Sequence, residues 1–376
     1  MELEIFKDNF QKAINVCERI TKKAVSLPIL QNVLLKTNNS FLEITTTNLE
    51  VNIVWNVLAK INQKGSLLIN ASFLNNILNL TTSEKVIIKQ ENGNLILLSD
   101  GQETQIQGQP VEEFPVITNI EKEYKWQMDS LVLADGLARV APIAAFSSVR
   151  PEIAGVYFSF QKNKLKLVAT DSFRLAEKTI LLNSTKQSDF QDACFIVPQY
   201  TCQELIGILN QEKGVVEIAT DLHQVLFEIK GERYNELKCC VQGRLINGEY
   251  PKYEEILPQS YKTRVRLNKD VFTNRLKGAG LFSSKIFDVK IDVLTKEGKI
   301  KLFSQNASVG RNEYIWDCVA EGQNESVVFN YKFLLDGLNN IKSPDVFFEL
   351  NGFDGPGVLR PDGDNSYFYV LMPIKQ

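Results

Sequence analysis

The chain has a single histidine among 376 residues. That scarcity excludes most familiar general acid–base designs, leaving carboxylates, lysine, tyrosine or cysteine as the only materials for such catalysis. The one histidine, His223, stands between Leu222 and Val225 in a run that reads as a strand, and carries no chemical assignment. Cysteines are few and scattered: Cys17, Cys194, Cys202, Cys239, Cys240 and Cys318 contain no CxxC pair. A thiolate metal clip is therefore excluded, and reduced, buried thiols are expected, with no metal and no cofactor. No apolar run approaches the ~18 residues that span a bilayer. The opening Met-Glu-Leu-Glu-Ile-Phe lacks the basic and long apolar regions of a signal peptide, so no membrane partner and a cytoplasmic location are expected. Neither sign of charge is in excess, with 42 Lys+Arg against 45 Asp+Glu. A coat of cations for indiscriminate nucleic-acid binding is excluded, though a basic patch on one face is not.

Catalytic motifs are missing too. No Gly-x-Ser-x-Gly or His-Glu-x-x-His occurs. The glycine-rich stretch from Gly352 to Gly357 is not followed by Gly-Lys-Ser/Thr, and Pro356 removes a donor that a phosphate cradle needs. Asp362-Gly363-Asp364-Asn365 resembles the start of a calcium loop, but its twelfth position is Pro373 rather than Glu. The acidic pairs Glu112-Glu113 and Glu254-Glu255 would point to opposite faces of an extended segment and read as solvated loop charges. The chain is not expected to be an enzyme.

What is present is a repeat. Phe10, Ile14 and Cys17 share one apolar spacing with Leu133, Leu137 and Val140, and with Phe272, Leu276 and Ala279. Each set puts one apolar stripe on a helix. A second helix follows each, marked by Leu74-Ile77-Leu78, Leu205-Ile208-Leu209 and Leu334-Gly337-Leu338, and each of these follows a short apolar strand. Alternating runs joined by Asn-Gly and Gly turns fill the remainder, as in Val86 to Lys89, Asn92-Gly93, Leu95 to Leu98. Glu113-Phe114-Pro115 reappears as Glu249-Tyr250-Pro251. With 44% hydrophobic residues there is material for several cores. The expectation is an α+β fold of three similar units, each with two helices on antiparallel strands, over 1–124, 125–262 and 263–376.

Two further segments draw notice. In Val168 to Ala176 an apolar strand runs into a polar turn carrying Arg174, which looks unpaired, with Asp171 suited to an Asx turn. The tail Tyr369 to Gln376 is rich in Val, Leu, Met, Pro and Ile, and would fray unless it is a buried strand, an apolar binding surface, or both.

Together these motifs resemble the bacterial DNA polymerase III beta subunit family, the sliding clamps. The carriers, in order, are Ser26-Leu27-Pro28-Ile29-Leu30, Thr46-Thr47-Asn48-Leu49-Glu50, Val168 to Ala176, Gly248 to Tyr253, Leu257-Pro258 and Met372-Pro373-Ile374. The resemblance runs from residue 1 to residue 376. It implies the DNA clamp fold, a ring-shaped homodimer around double-stranded DNA bound without sequence preference, and a processivity role. The implied partners are the polymerase III alpha subunit, the clamp loader, and other replication and repair proteins bearing short apolar peptides. By the same resemblance, a peptide pocket would use Ile153, Thr170, Ser172, Phe173, Arg174, Leu175, Pro251, Ile256, Val370, Met372, Pro373 and Ile374. DNA would meet Lys12, Lys22, Lys23, Arg139, Arg150, Arg275 and Lys277, cations that recur on or beside the first helix of each repeat. Thr104 and Ile106 would face Leu281 and Phe282 of a second copy. The chain departs from the family pattern at Ser172-Phe173, Glu255 and Lys375-Gln376, and Pro151-Glu152 replace aromatic residues beside Arg150. Two readings of other classes stand beside this one: a multidomain β-rich ligand-binding protein with an aromatic groove, and a hydrolase built on two converging carboxylates.

Overall fold

Three apolar stripes at helical spacing decide where the first helices lie. The computed structural model, which describes all residues except 24–26, 119, 148, 183–191, 232–235 and 376, contains six α-helices among the described residues. They are α1 (Lys7–Thr21), α2 (Ala71–Leu80), α3 (Ser130–Val140), α4 (Gln199–Leu209), α5 (Lys269–Gly280) and α6 (Tyr331–Asn339). Ser26 and Gln376, both named above, lie outside the described residues. Phe10, Ile14 and Cys17 on α1, Leu133, Leu137 and Val140 on α3, and Phe272, Leu276 and Ala279 on α5 are all fully buried. Full burial of a large apolar side chain is worth about 1.5–3 kcal/mol, which outweighs the few tenths that separate helix propensities.

Polar caps set where several of these helices begin. Asn70 accepts from the Phe73 N–H at 3.1 Å, Asn268 from Val271 at 3.1 Å and Asn330 from Lys332 at 2.9 Å. Asp129 Oδ1 accepts from both Leu131 and Val132, at 2.8 and 3.0 Å. Each satisfies donors that the first turn of a helix leaves without partners. The start of α1 has no side-chain cap; its Lys7 N–H donates to the Glu84 carbonyl at 2.9 Å instead.

Contacts group the chain into two compact units. The first, made of the described residues within 1–134 and 204–245, holds one twelve-stranded antiparallel sheet. It runs from the edge strand Gln102–Ile106 to the edge strand Tyr124–Asp129, and the long strand Val51–Gln63 pairs with both Glu2–Phe6 and Leu237–Arg244. The hairpin between Lys85–Glu91 and Asn94–Ser99 turns at Asn92 and Gly93, whose φ values of 49° and 81° are the pair a two-residue hairpin of this kind demands. α1 packs on α2 within this unit.

The second unit, made of the described residues within 135–183, 192–203 and 246–376, holds a nine-stranded and a four-stranded antiparallel sheet. In the larger, the last strand of the chain, Tyr367–Leu371, lies between Arg174–Leu181 and Gly357–Pro361. The smaller has Gly310–Asp317 at one edge and Glu325–Asn330 at the other.

Two expectations are corrected here, and one exclusion gains a structural reason. His223 is exposed in the turn between the strands Gly214–Thr220 and Gln224–Gly231, not in a strand, because Asp221 Oδ1 accepts from its N–H at 2.7 Å and bends the chain. The thiols are all free, but only Cys17, Cys202 and Cys239 are fully enclosed, and Cys194 is exposed. Burial pushes the Cys17 thiol up to about 12, which leaves it inert. The acids of the calcium-like loop are held by cations, Asp362 by Arg266 at 2.6 Å and Asp364 by Lys178 at 3.4 Å.

Candidate functional site

The turn after the strand Lys164–Thr170 is the seed of the site. Asp171 Oδ1 accepts from the backbone N–H of Phe173 and of Arg174, each at 3.0 Å, closing the Asx turn. Ser172 takes the left-handed conformation with φ 77°, and its N–H donates to Thr170 Oγ1 at 3.1 Å. The turn sends Phe173 outward, where it is 63% exposed, while Leu175 turns in and is buried. The last strand of the chain then pairs in register, Leu175 opposite Val370 and Arg174 opposite Leu371. Beyond it, the Met372 N–H donates to the Phe173 carbonyl at 2.8 Å, so the tail stays against the turn.

Two short 3-10 turns supply the other walls. In one, Pro251 leads into Tyr253–Ile256, and the Tyr253 hydroxyl donates to Glu177 Oε2 at 2.6 Å. Burial, with Glu177 beside it, pushes that phenol well above its usual range, so it remains a donor. Behind it Tyr250 stacks on Tyr157 with centroids 4.7 Å apart. In the other, Pro151–Ile153, the Ile153 and Thr170 carbonyls both accept from Ala145, at 3.0 and 3.2 Å.

The result is an apolar cavity of about 310 Å³ within the second unit. It brings together Ile153, Thr170, Ser172, Phe173, Arg174, Leu175, Pro251, Ile256, Val370 and Met372. Pro373 and Ile374 do not line it; the Ile374 N–H donates instead to the Val328 carbonyl at 2.8 Å. Arg150, Lys252 and Tyr253 line it without having been assigned to it from the sequence. For Lys252 and Tyr253 the signal was their place between Pro251 and Ile256; for Arg150 it was adjacency to the Pro151–Ile153 turn.

Arg174 is not unpaired, as its sequence context suggested. Its Nε bonds Asp171 Oδ2 at 2.9 Å, its Nη1 bonds Asp336, and its guanidinium lies 4.4 Å from the centroid of Phe333. Burial opposes its charge, but Tyr369, Asp336 and Asp171 outweigh that and hold it firmly protonated. A planar cation fixed this way braces one wall of the cavity.

Comparison with known proteins decides what such a chain is. The descriptions of the DNA polymerase III beta subunit match it in three consecutive segments: the N-terminal domain over residues 1–118, the central domain over 127–252 and the C-terminal domain over 254–375. The chain belongs to the DNA polymerase III beta subunit family. The beta sliding clamp of Streptococcus pneumoniae is 25% identical over 387 residues, covering 100% of this chain and 99% of the relative. The beta subunit of Streptococcus pyogenes shares the fold at a TM-score of 0.92 and 22% identity, over 100% of both chains. A sliding clamp from Pseudomonas aeruginosa, solved bound to griselimycin, does so at 0.92 and 22%, also over 100% of both. The clamp fold of three similar domains is therefore shared along the whole chain.

Within this beta subunit, the cations expected at DNA have varied surroundings. Lys12 pairs with Glu212 at 2.7 Å and Lys22, the residue that ends α1, with Glu18 at 3.0 Å, while Lys23 comes next. Lys277 is exposed in the last turn of α5. Arg275 lies 4.1 Å from the centroid of Trp316. Arg139 is buried between Asp135, at 3.0 Å, and Asp364, at 3.7 Å, so its charge is spent inside the protein. Arg150 is exposed but turned to the cavity, with Nε on Glu152 at 3.1 Å and Nη1 on Ser172 Oγ at 3.0 Å. Of the residues expected at a subunit contact, Thr104 and Ile106 lie on the edge strand Gln102–Ile106 of the first unit. Leu281 and Phe282 follow α5 in the second; Leu281 is 75% exposed, and Phe282 sits beside Gly310 on the edge strand Gly310–Asp317.

Proposed function

We propose that two copies of this sliding clamp close into a ring around double-stranded DNA and tether the replicative polymerase, with the cavity as the docking point for partner peptides. The observation that carries the reading is the apolar cavity walled by the Val168 to Leu175 turn and the chain's own terminus, in a protein matched end to end by the beta subunit family. A clamp needs no turnover, and the family is a non-catalytic processivity factor. This leaves the ligand-binding and hydrolase alternatives without support.

Three repeats over 1–124, 125–262 and 263–376 would give a six-domain ring. Closure would join the edge strand carrying Thr104 and Ile106 to the partner copy's edge strand, with Leu281 and Phe282 as the apolar plug. Unpaired strand edges favour such addition, and a head-to-tail contact that closes removes them. DNA would be held by Lys12, Lys22, Lys23, Arg275 and Lys277 through phosphates alone, because contacts to base edges would halt sliding at preferred sequences. Arg139 and Arg150 would act indirectly, one inside its unit and one at the cavity. The partners at the cavity would be the polymerase III alpha subunit, the clamp loader, and other replication and repair proteins, in the cytoplasm. Each would present a short apolar segment whose few buried anchors carry most of the binding energy.

The test is the solution mass of the purified protein together with its retention on circular against linear DNA after loading. Retention on circles and loss from linear ends is the expected outcome; a monomer mass, or equal retention on both, refutes the ring.

A further inference from the structure

Two edge strands, one in each unit, carry opposite unanswered charges on the face turned from the buried core. In the first unit, Glu103 on the edge strand Gln102–Ile106 stands opposite Leu98, Leu98 opposite Ile87, and Ile87 opposite Glu4, and all four line one open depression. The neighbouring row, Thr104, Leu97, Ile88 and Leu3, faces the other way, and its last three members are buried. Glu84 and Asp100 line the same depression, and its one lysine, Lys85, is taken by Glu4 at 2.8 Å. Glu103 is exposed and has no ion-pair partner among the described residues.

In the second unit, Arg311 lies on the edge strand Gly310–Asp317, opposite Gln305. The next pair, Asn312 opposite Ser304, faces α5, because the Ser304 hydroxyl donates to the Ala279 carbonyl. Strand alternation therefore puts Arg311 on the face away from α5. On that face Glu313 is held by Lys301 at 2.7 Å, and Asp317 lies at the far end of the strand, opposite Lys299. Arg311 is exposed without an ion-pair partner among the described residues, and so is Lys285, shortly after Leu281 and Phe282.

Resting on the reading that two copies close into a ring, we infer that charge sets the direction of closure, with Glu103 of one copy meeting the partner's Arg311. Two edge strands that add side by side make one sheet, and the outer face of each continues into the outer face of the other. Opposite charges on neighbouring strands of such a sheet attract, and like charges directly opposite each other are destabilising. The two head-to-head arrangements would bring Glu103 against Glu103, or Arg311 against Arg311. Head-to-tail closure is thus favoured by attraction in the right pairing and by repulsion in both wrong ones. Glu84 and Asp100 on one side, and Lys285 on the other, extend the two fields and would steer the encounter.

The experiment measures the dimer dissociation constant of the full chain by sedimentation at low salt. Glu103→Arg and Arg311→Glu should each weaken the dimer about tenfold, because each puts like charges at both contacts of the ring. Mixed in equal amounts, the two variants should form a heterodimer of native affinity, since both contacts then join opposite charges. One chain carrying both changes should pair with itself but not with the native chain. Added salt should shrink every one of these differences. Both side chains are exposed, so circular dichroism of each variant should match that of the native chain. If the native chain dimerises but either single variant keeps its affinity, or the mixture gives no heterodimer, the inference fails while the ring reading stands. If the native chain stays monomeric at every concentration, the ring reading fails with it.

Discussion

Two of the three cations that line the cavity are held in place: Arg174 lies between two carboxylates and over a ring, and Arg150 is tied to Glu152 and Ser172. Among the cations on or beside α1 and α5, Lys22 at the end of α1 pairs with the nearby Glu18, and Lys277 is exposed in the last turn of α5. The difference follows from what each region binds. A short peptide is recognised by shape, so its pocket walls must be preorganised and their polar atoms satisfied before it arrives. A sliding duplex is held by the sum of many weak phosphate attractions, which tolerate loose side chains and partial neutralisation. One region depends on particular partners and the other on the total of its charges.

That contrast can be broken at several points. The largest effect is expected at ring closure, where replacing Leu281 and Phe282 together by Asp puts two charges into an apolar contact. The variant should run as a monomer in analytical ultracentrifugation, and a dimer mass persisting at nanomolar concentration would remove these residues from the interface.

Next comes deletion of residues 372–376. It takes Met372 from the cavity lining and two backbone hydrogen bonds, to Phe173 and Val328, from the tail. Peptide and polymerase affinity should fall on the order of tenfold or more, as for loss of a buried anchor. The two hydrogen bonds are worth only about 1 kcal/mol each, so thermal unfolding should move little. A truncated chain that binds peptide as tightly as the full one would end the pocket assignment while leaving the clamp fold untouched.

Arg174→Ala should cost about 1–3 kcal/mol in chemical denaturation, since Asp171 loses its partner in a half-buried setting and Phe333 loses its cation. The partly exposed Asp336 adds less, because water screens it. By contrast, Lys22→Ala and Lys277→Ala should each shift stability by less than about 0.5 kcal/mol. Together those two should weaken DNA binding similarly on every sequence, and flatten the salt dependence by roughly 0.9 for each phosphate no longer neutralised. A change confined to some templates would show base readout and contradict the comparison.

Much of the fold was legible because it depends on local periodicity. Nine apolar positions in three stripes marked α1, α3 and α5, and all nine are fully buried. The short strands before α2, α4 and α6 could be read from their apolar runs, and the Asx turn at Asp171 from its residue types. The pairing of distant strands could not. Cys239 to Gly243 pairs with Val51 to Trp55, and Arg174 to Lys178 with Tyr367 to Leu371. These pairs tie together segments nearly two hundred residues apart. They explain how a threefold pattern in sequence coexists with two compact units in space.

For the cavity, the sequence by itself determined the turn at 171–173, the apolar tail and the proline-led turn at Pro251, because each is set by neighbours a few residues away. Only the tertiary structure decided that Arg174 is braced by Asp336, that Arg139 is buried with Asp135 and Asp364, that Arg150 faces the cavity, and that Ile374 turns away from it. The physical reason is common to all four. Whether a charge is spent or available, and whether an apolar side chain lines a pocket or leaves it, depends on partners brought near by strand pairing, which local pattern does not encode.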